Sequence, residues 1–272
     1  MFSSVLVVVP TLGVRQDWLR SSIHSILSQE DVDVRVRVVA PTAAALRPIC
    51  SELGVELVEC DRKGLGVAIN RGWKDAGEFE YVTWLGDDDL LAPGSLASTT
   101  AVMSANADIA MAYGAVRYID GAGSSLWLQR PGRFAAWYLS YGKNLVPQQG
   151  SLLRRSLVLQ IGGIDETYKS AMDQDLFSRL LDGRSFAYVR QELAAFRLHD
   201  SNITVTKGDG GANEGEQIRM RHAGRFYPAI RRLTRMTDRV IYAFIRRRPF
   251  GATPLIDGVP YTIAHDQSVA SK

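Results

Sequence analysis

Three consecutive carboxylates, Asp87, Asp88 and Asp89, follow Trp84-Leu85-Gly86 and precede Leu90-Leu91-Ala92-Pro93-Gly94. Adjacent carboxylates repel one another, and no fold requires them at the end of a buried strand. A hard divalent cation relieves that repulsion, because such ions take oxygen ligands. A cation held there is placed to bridge phosphates and to neutralise a departing diphosphate. The other reading is a solvated acidic turn capping the helix that starts near Pro93. A bare Asp-Asp-Asp fits either, and its place after a buried strand favours the cation.

Other residues carry chemistry less distinctly. Asp173, Asp175 and Arg179 share one short helix, where Asp175 and Arg179 form an i,i+4 ion pair. Asp173 fits the first helical turn, which favours an acid through the helix dipole. His199 is a candidate metal ligand or a satisfied histidine of the core or surface. Pro10, Thr11 and Arg15 follow the first strand, where Arg15 can meet phosphate or simply be solvated on the first helical turn. Asp61, Gly64, Gly66 and Asn70 bracket a strand-to-helix turn. Glycine there lets backbone approach a ligand, and Asn70 can hydrogen-bond a base or a phosphate; ordinary turn chemistry is the alternative. Trp137 and Tyr138 can stack on a sugar face or pack in the core.

These residues need a scaffold. Val5 to Val9 is a continuous apolar, mostly β-branched run, expected of a strand buried on both faces. Helical spacing over Asp17 to Gln29, Ala43 to Leu53 and Leu65 to Ala76 alternates with strands over Val34 to Val39, Val55 to Glu59 and Tyr81 to Leu85. That order predicts an α/β fold: a Rossmann-like, mostly parallel sheet flanked by helices, with ligands at the carboxyl ends of the strands. After Leu96 the pattern loosens. Strands are expected over Asp108 to Tyr118 and Phe186 to Val189, and short helices over Arg154 to Ile161 and Asp173 to Leu181.

Composition sets outer bounds. Of 272 residues, 46% are hydrophobic, enough for a sizeable core. A net charge of +3 is too mild to imply nucleic acid. Cys50 and Cys60 form neither a disulfide scaffold nor a zinc knuckle, which fits a reducing, cytoplasmic compartment. Met1 to Pro10 lacks a basic region and is expected to be a first strand, not a signal peptide. Residues 207–216 are expected to be a Gly-rich linker. Beyond it, 217–248 combines ten arginines with apolar residues at three- and four-residue spacing, a basic amphipathic helical extension. It can dock on an anionic membrane surface at the inner face of the cell membrane, pack on the preceding domain, or meet a homodimer partner. Truncation after Asn213 is expected to leave the preceding domain folded. Residues 249–272 form a tail with little signal.

Four segments, in order, resemble family 2 of the GT-A glycosyltransferases over roughly residues 3 to 205. They are Val9-Pro10-Thr11 with Arg15 and Ser25 to Gln29; Leu85 to Asp89 with Pro93-Gly94; Arg154-Arg155 with Gly162 to Glu166, Asp173 to Leu176 and Arg179; and Arg197-Leu198-His199 with Thr204. The resemblance implies a GT-A catalytic domain over 1–206, with a nucleotide-binding half (1–95) and an acceptor-binding half (96–206). It implies an inverting transfer of a sugar from a nucleotide-diphosphate sugar to an acceptor hydroxyl on a glycan or lipid-linked acceptor, as in cell-surface glycan or glycolipid synthesis. Mn²⁺ or Mg²⁺ is the implied cofactor.

By that resemblance Asp173 is the general base. Asp87 and Asp88 then face the donor, with Pro10, Thr11 and Arg15 at the first strand end and Asp61, Gly66 and Asn70 of the strand-to-helix turn beside them; Asp88 and His199 hold the metal, with Asp89 either sharing it or supporting its ligands; Gln149, Gly150 and Asp175 face the acceptor. Three positions depart from the family pattern. Gly86 stands where many members carry an acid, Met172 replaces the glutamate before the base, and Ala40-Pro41-Thr42 replaces a base-reading aspartate. A non-catalytic sugar- or nucleotide-binding module with a degenerate site is the competing expectation.

Overall fold

The strand Ser4–Pro10 (β1) is buried on both faces because it lies between two parallel neighbours, Asp33–Ala40 (β2) and Tyr81–Trp84 (β4). Its alternate side chains serve two cores. Val5, Val7 and Val9 pack with Leu19, Ile23 and Ile26 of the helix Gln16–Leu27 (α1). Leu6 and Val8 pack with Ile69 and Trp73 of Leu65–Trp73 (α3) on the opposite face. Each such side chain, fully buried, contributes about 1.5–3 kcal/mol. The short helix Arg47–Glu52 (α2) leads to the edge strand Glu56–Glu59 (β3), which pairs in parallel with β2. A computed structural model describes residues 2–60, 64–74, 76–199, 208–223, 227, 231–233, 236–237 and 240.

The close seat of α3 depends on Gly72. A Cβ there would stand 2.5 Å from Val8 Cγ1. Gly72→Ala is therefore expected to destabilise the protein by about 1–3 kcal/mol through overpacking, as read from the midpoint of urea unfolding.

The second half of the sheet is mixed. Leu90–Leu91 (β5), Ile109–Ile119 (β6), Ser125–Gln129 (β7), Ser151–Arg154 (β8) and Ser185–Arg197 (β9) give, with the first four, the order β3-β2-β1-β4-β8-β6-β9-β5, with β7 pairing β6. Here β8 runs antiparallel to both β4 and β6, while β6 and β9 are parallel with register shifts near Gly114. The remaining helices are Ser95–Ser104 (α4), Phe134–Leu139 (α5), Arg155–Gln160 (α6), Met172–Leu181 (α7) and Gly208–Ala223 (α8). The strand expected over Phe186 to Val189 is the start of the much longer β9.

The linker expectation is overturned, since Gly208–Ala223 is helical. Tertiary contacts override the composition. Glu214 accepts backbone N–H bonds from Lys169 (3.0 Å), Ser170 (2.8 Å) and Ala171 (2.9 Å), just ahead of α7. Gly215 lies against Gln174, whose Oε1 would be 2.9 Å from a Cβ at that position. Ile218 is fully buried in the core. The start of the arginine-rich segment thus packs on the domain that holds the sheet, and cutting after Asn213 would remove Glu214 and Ile218 from it. Positions 241–248 and the tail lie outside the described residues. No helix among the described residues is long and apolar enough to cross a membrane.

Candidate active site

The carboxyl ends of β1, β4 and β9 meet at one edge of the sheet. Thr11 continues the β1 ladder, its N–H donating to Val39 (2.9 Å), and its hydroxyl donates to Asp87. Burial pushes the Asp87 carboxyl above its ordinary range, against the Thr11 hydrogen bond that lowers it. Asp88 Oδ2 lies 2.6 Å from His199 Nε2. Arg15 Nη1 is 3.1 Å from both ring nitrogens of His199, and its other terminal nitrogen is 4.0 Å from Asp88 Oδ2. The Trp18 ring backs this group, with the Arg15 and Arg197 guanidinium carbons each 5.0 Å from its centroid and the His199 ring at 5.1 Å.

Asp89 takes a different part. It is buried, accepting the backbone N–H of Arg197 at 3.0 Å and a hydrogen bond from the Gln149 side chain. Burial, with the charge of Asp88, pushes its carboxyl well above the ordinary range. Of the two duties expected of Asp89, this burial and bonding fit the supporting one. Arg197, only 1% exposed, donates to the carbonyls of Asp88 (3.0 Å), Asp120 (3.2 Å) and Gly121 (3.2 Å). Its guanidinium thereby fixes the loop that carries Asp88. Gly86 is required by the same turn, since a Cβ there would come within 2.6 Å of Asp88 Oδ1 and 2.9 Å of Asp89 Oδ2. An acid at that position does not fit this loop.

Asp173 lies at the start of α7, partly exposed. Its Oδ1 accepts the Gln174 N–H (2.8 Å) and its Oδ2 accepts from the Asn144 side chain (3.1 Å). Burial raises its carboxyl above the ordinary aspartate range, with these hydrogen bonds opposing. The segment from Asn144 to Gln149 reaches both acidic centres. It bonds Asp173 at one end, and at the other it bonds Asp89 through Gln149 and the Trp84 carbonyl through Gln148 (2.6 Å).

Several expected ligand contacts are replaced by packing. Asn70 is occupied by the loop before α7, donating to the Ile164 carbonyl (2.8 Å) and Glu166 (2.9 Å) and accepting the Ile164 N–H (3.0 Å). Gly163, at φ +73°, allows that approach, because a Cβ there would stand 2.7 Å from Asn70 Oδ1. Gly66 is buried, and a Cβ on it would stand 3.0 Å from Ile164 Cγ2. Gly150 is buried too, and its Cβ would stand 2.8 Å from Val116 Cγ2. Gln149 serves Asp89 instead of the acceptor. Asp175 is fully buried, 2.7 Å from Arg179 and 3.7 Å from His222 of α8. Burial pushes its carboxyl up, but His222 and Arg179 outweigh that and leave it lowered. It therefore cannot face an acceptor. Met172 is a core residue, 3.6 Å from where a Gly66 Cβ would stand. Asp61 and Thr204 lie outside the described residues.

Trp18, Asn144 and Glu214 were missed as site supports. Trp18 carried a signal, standing at the end of the helix that Arg15 opens, whereas the partners of Asn144 and Glu214 are 29 and 43–45 residues away.

The chain is similar to known glycosyltransferases in sequence and in fold. The family model for Glycosyl transferase family 2 matches residues 6–162. An uncharacterized glycosyltransferase of Rickettsia typhi, RT0329, is 26% identical over 215 residues, covering 74% of this chain; the chain spans 66% of that relative's length. Among solved structures, S. aureus TarS 1-349 in complex with UDP-GlcNAc matches with a TM-score of 0.60 and 14% identity, over 96% of this chain and 79% of that one. The longer TarS chain is covered to 43%. The mannosyltransferase PcManGT of Pyrobaculum calidifontis, in complex with GDP-Man and Mn²⁺, matches with a TM-score of 0.55 and 19% identity, over 100% and 76% of the two chains. With a mixed α/β fold of the GT-A type and a match over more than half its length, the chain belongs to glycosyl transferase family 2.

Proposed function

We propose that the protein transfers a sugar from a nucleotide-diphosphate sugar to an acceptor hydroxyl, with inversion at the anomeric carbon. The observation that carries this reading is the Asp88–His199 pair, 2.6 Å apart at the carboxyl edge of the sheet, joined to Asp173 by the segment from Asn144 to Gln149. The neighbours that hold UDP-GlcNAc, or GDP-Man with Mn²⁺, support a nucleotide-sugar donor and a divalent cation.

The residues present fit such a cation. Among the described residues no group of three or more His, Cys, Asp or Glu is arranged as a metal cage. A carboxylate oxygen and an imidazole nitrogen nevertheless converge at one point, and Mg²⁺-like sites commonly take only one or two carboxylates, with substrate phosphates and water completing the shell. The imidazole suits Mn²⁺. Asp88 and His199 would hold the ion, which when bound supplies charge neutralisation to the leaving diphosphate. Arg15 approaches the same point and adds a fixed positive charge for phosphate. Thr11 orients Asp87 towards the donor ribose. Asp173 accepts the acceptor hydroxyl's proton as that oxygen attacks. Its raised pKa brings it nearer to neutrality, as suits a base, and kcat should fall as pH drops through that raised value.

The acceptor is read as a glycan or a lipid-linked hydroxyl, reached from an anionic membrane surface on which arginines of 217–248 beyond its packed start dock. The direct test of donor use is a thermal-shift screen of nucleoside diphosphates with Mn²⁺. A ligand at a hundred-fold excess over its Kd stabilises by about 2.7 kcal/mol. Stabilisation and sugar transfer together support the transferase. Stabilisation without product, whatever acceptor is offered, favours the non-catalytic binding module.

A further inference from the structure

Helix α5 carries an aromatic ridge that the proposed site does not use. Phe134, Trp137 and Tyr141 are 50%, 59% and 37% exposed. Their rings adjoin in series, with centroids 5.0 Å apart for Phe134–Trp137 and 5.4 Å for Trp137–Tyr141. Ala135, Tyr138 and Leu139 are buried on the other side of the helix, so the ridge cannot turn inward. The Tyr138 hydroxyl lies 2.9 Å from that of Thr237. This brings the C-terminal segment alongside, with Leu233, Met236 and Val240 all exposed. The flanks are basic. Arg130, Arg133 and Lys143 are exposed, and no acidic residue occurs from 130 to 143. From 217 to 248 Asp238 is the sole carboxylate.

We infer that this ridge enters the interface of an anionic bilayer, with the flanking arginines on the headgroups. The inference deepens the membrane part of the proposed function and rests on it. Trp and Tyr favour the membrane–water boundary, where a ring can be half apolar and half wet. An apolar patch flanked by arginine and lysine is the composition of an interfacial surface. A sugar-stacking platform needs polar groups to fix the hydroxyls, whereas Phe134 and Trp137 offer bare rings and the exposed Leu233, Met236 and Val240 of the neighbouring segment are apolar. A two-fold contact between copies would set these cations against their own images, which costs free energy. The placement also suits the chemistry, because Asn144, next to Lys143, donates to Asp173. A docked ridge holds the proposed base near the surface that a lipid-linked hydroxyl occupies.

The experiment uses the full chain with phosphatidylglycerol-containing vesicles carrying brominated acyl chains. Tryptophan emission should be quenched on binding. Of the five tryptophans, Trp73 and Trp84 are buried and Trp18 and Trp127 are half-buried against His199 and Tyr118, so Trp137→Phe, which removes the most exposed of them, should remove most of the quenching while binding continues. Replacing both Phe134 and Tyr141 by Ser should weaken vesicle partitioning about tenfold or more, since each ring then loses its apolar transfer. Circular dichroism melts would confirm that both variants stay folded. Failure of the wild type to bind at low salt overturns the membrane reading and this inference with it. Binding with quenching that persists in Trp137→Phe, or with none at all, overturns this inference alone and leaves docking to the arginines. Loss of a wild-type dimer in Trp137→Phe, seen by sedimentation, would assign the ridge to a second copy instead.

Discussion

Replacing Asp173 with asparagine is expected to leave donor binding intact and to lower turnover about 10²–10⁴-fold, the usual cost of losing a general base. The amide keeps the carboxylate's shape but cannot take the acceptor's proton. The surroundings set a secondary effect. Asn144 donates to one carboxylate oxygen, and its own Oδ1 is engaged by the Val146 N–H at 2.9 Å. An amide at position 173 would set its nitrogen against one of two donors, Asn144 Nδ2 or the Gln174 N–H, losing about 1 kcal/mol of hydrogen bonding. A small drop in Tm should therefore accompany the large drop in kcat. Isothermal calorimetry with the donor separates the two subsites. Retained affinity with collapsed turnover supports the base, whereas near-normal turnover removes Asp173 from the mechanism. Loss of donor binding would move Asp173 to the wrong side of the site.

Asp88→Asn should abolish the cation-dependent part of nucleoside diphosphate binding, because a neutral amide is a poor ligand for a hard ion. The expected loss in affinity is tenfold or more, equivalent to about 1.4 kcal/mol or greater. His199→Ala should act in the same direction, since its Nε2 adjoins the same carboxylate oxygen. Calorimetry with Mn²⁺ and with EDTA provides the measurement. Diphosphate affinity that EDTA leaves unchanged would count against the cation. It would pass the charge neutralisation to Arg15, which already stands 4.0 Å from Asp88.

The parallel half of the fold was legible in the sequence because each element advertises its surroundings. An unbroken Val5 to Val9 run means two covered faces, and Leu19, Ile23 and Ile26 trace one stripe. The mixed half was harder. Helix α4 buries Ser95, Leu96, Thr99, Thr100 and Met103, a set with no clean apolar stripe because its threonines satisfy themselves on carbonyls three and four residues back. Strands β5 and β8 are two and four residues long, too short to show a period.

The site divided in a similar way. Asp87, Asp88 and His199, expected at strand ends, do come together at one edge of the sheet. Asn70, Gly66, Gly150 and Asp175 were misassigned because a residue type does not disclose what it faces. Asn70 meets Ile164 across 94 positions, and Gly66 needs its missing Cβ for a protein side chain. Asp88 and Asp89 show the same limit, since of two carboxylates adjacent in sequence one meets His199 and the other the Arg197 backbone.

The Glu214 clasp has a consequence for how the molecule opens. One carboxylate holds three successive backbone amides, those of Lys169, Ser170 and Ala171, immediately before the helix that bears Asp173. Those amides can exchange with solvent deuterium through this route only when α8 lifts away, so base loop and C-terminal helix form a single opening unit. The free energy of that opening sets how often Asp173 is misplaced. Whatever anchors the C-terminal segment, a bilayer included, adds to it, so anchoring tightens the register of the proposed base without touching it.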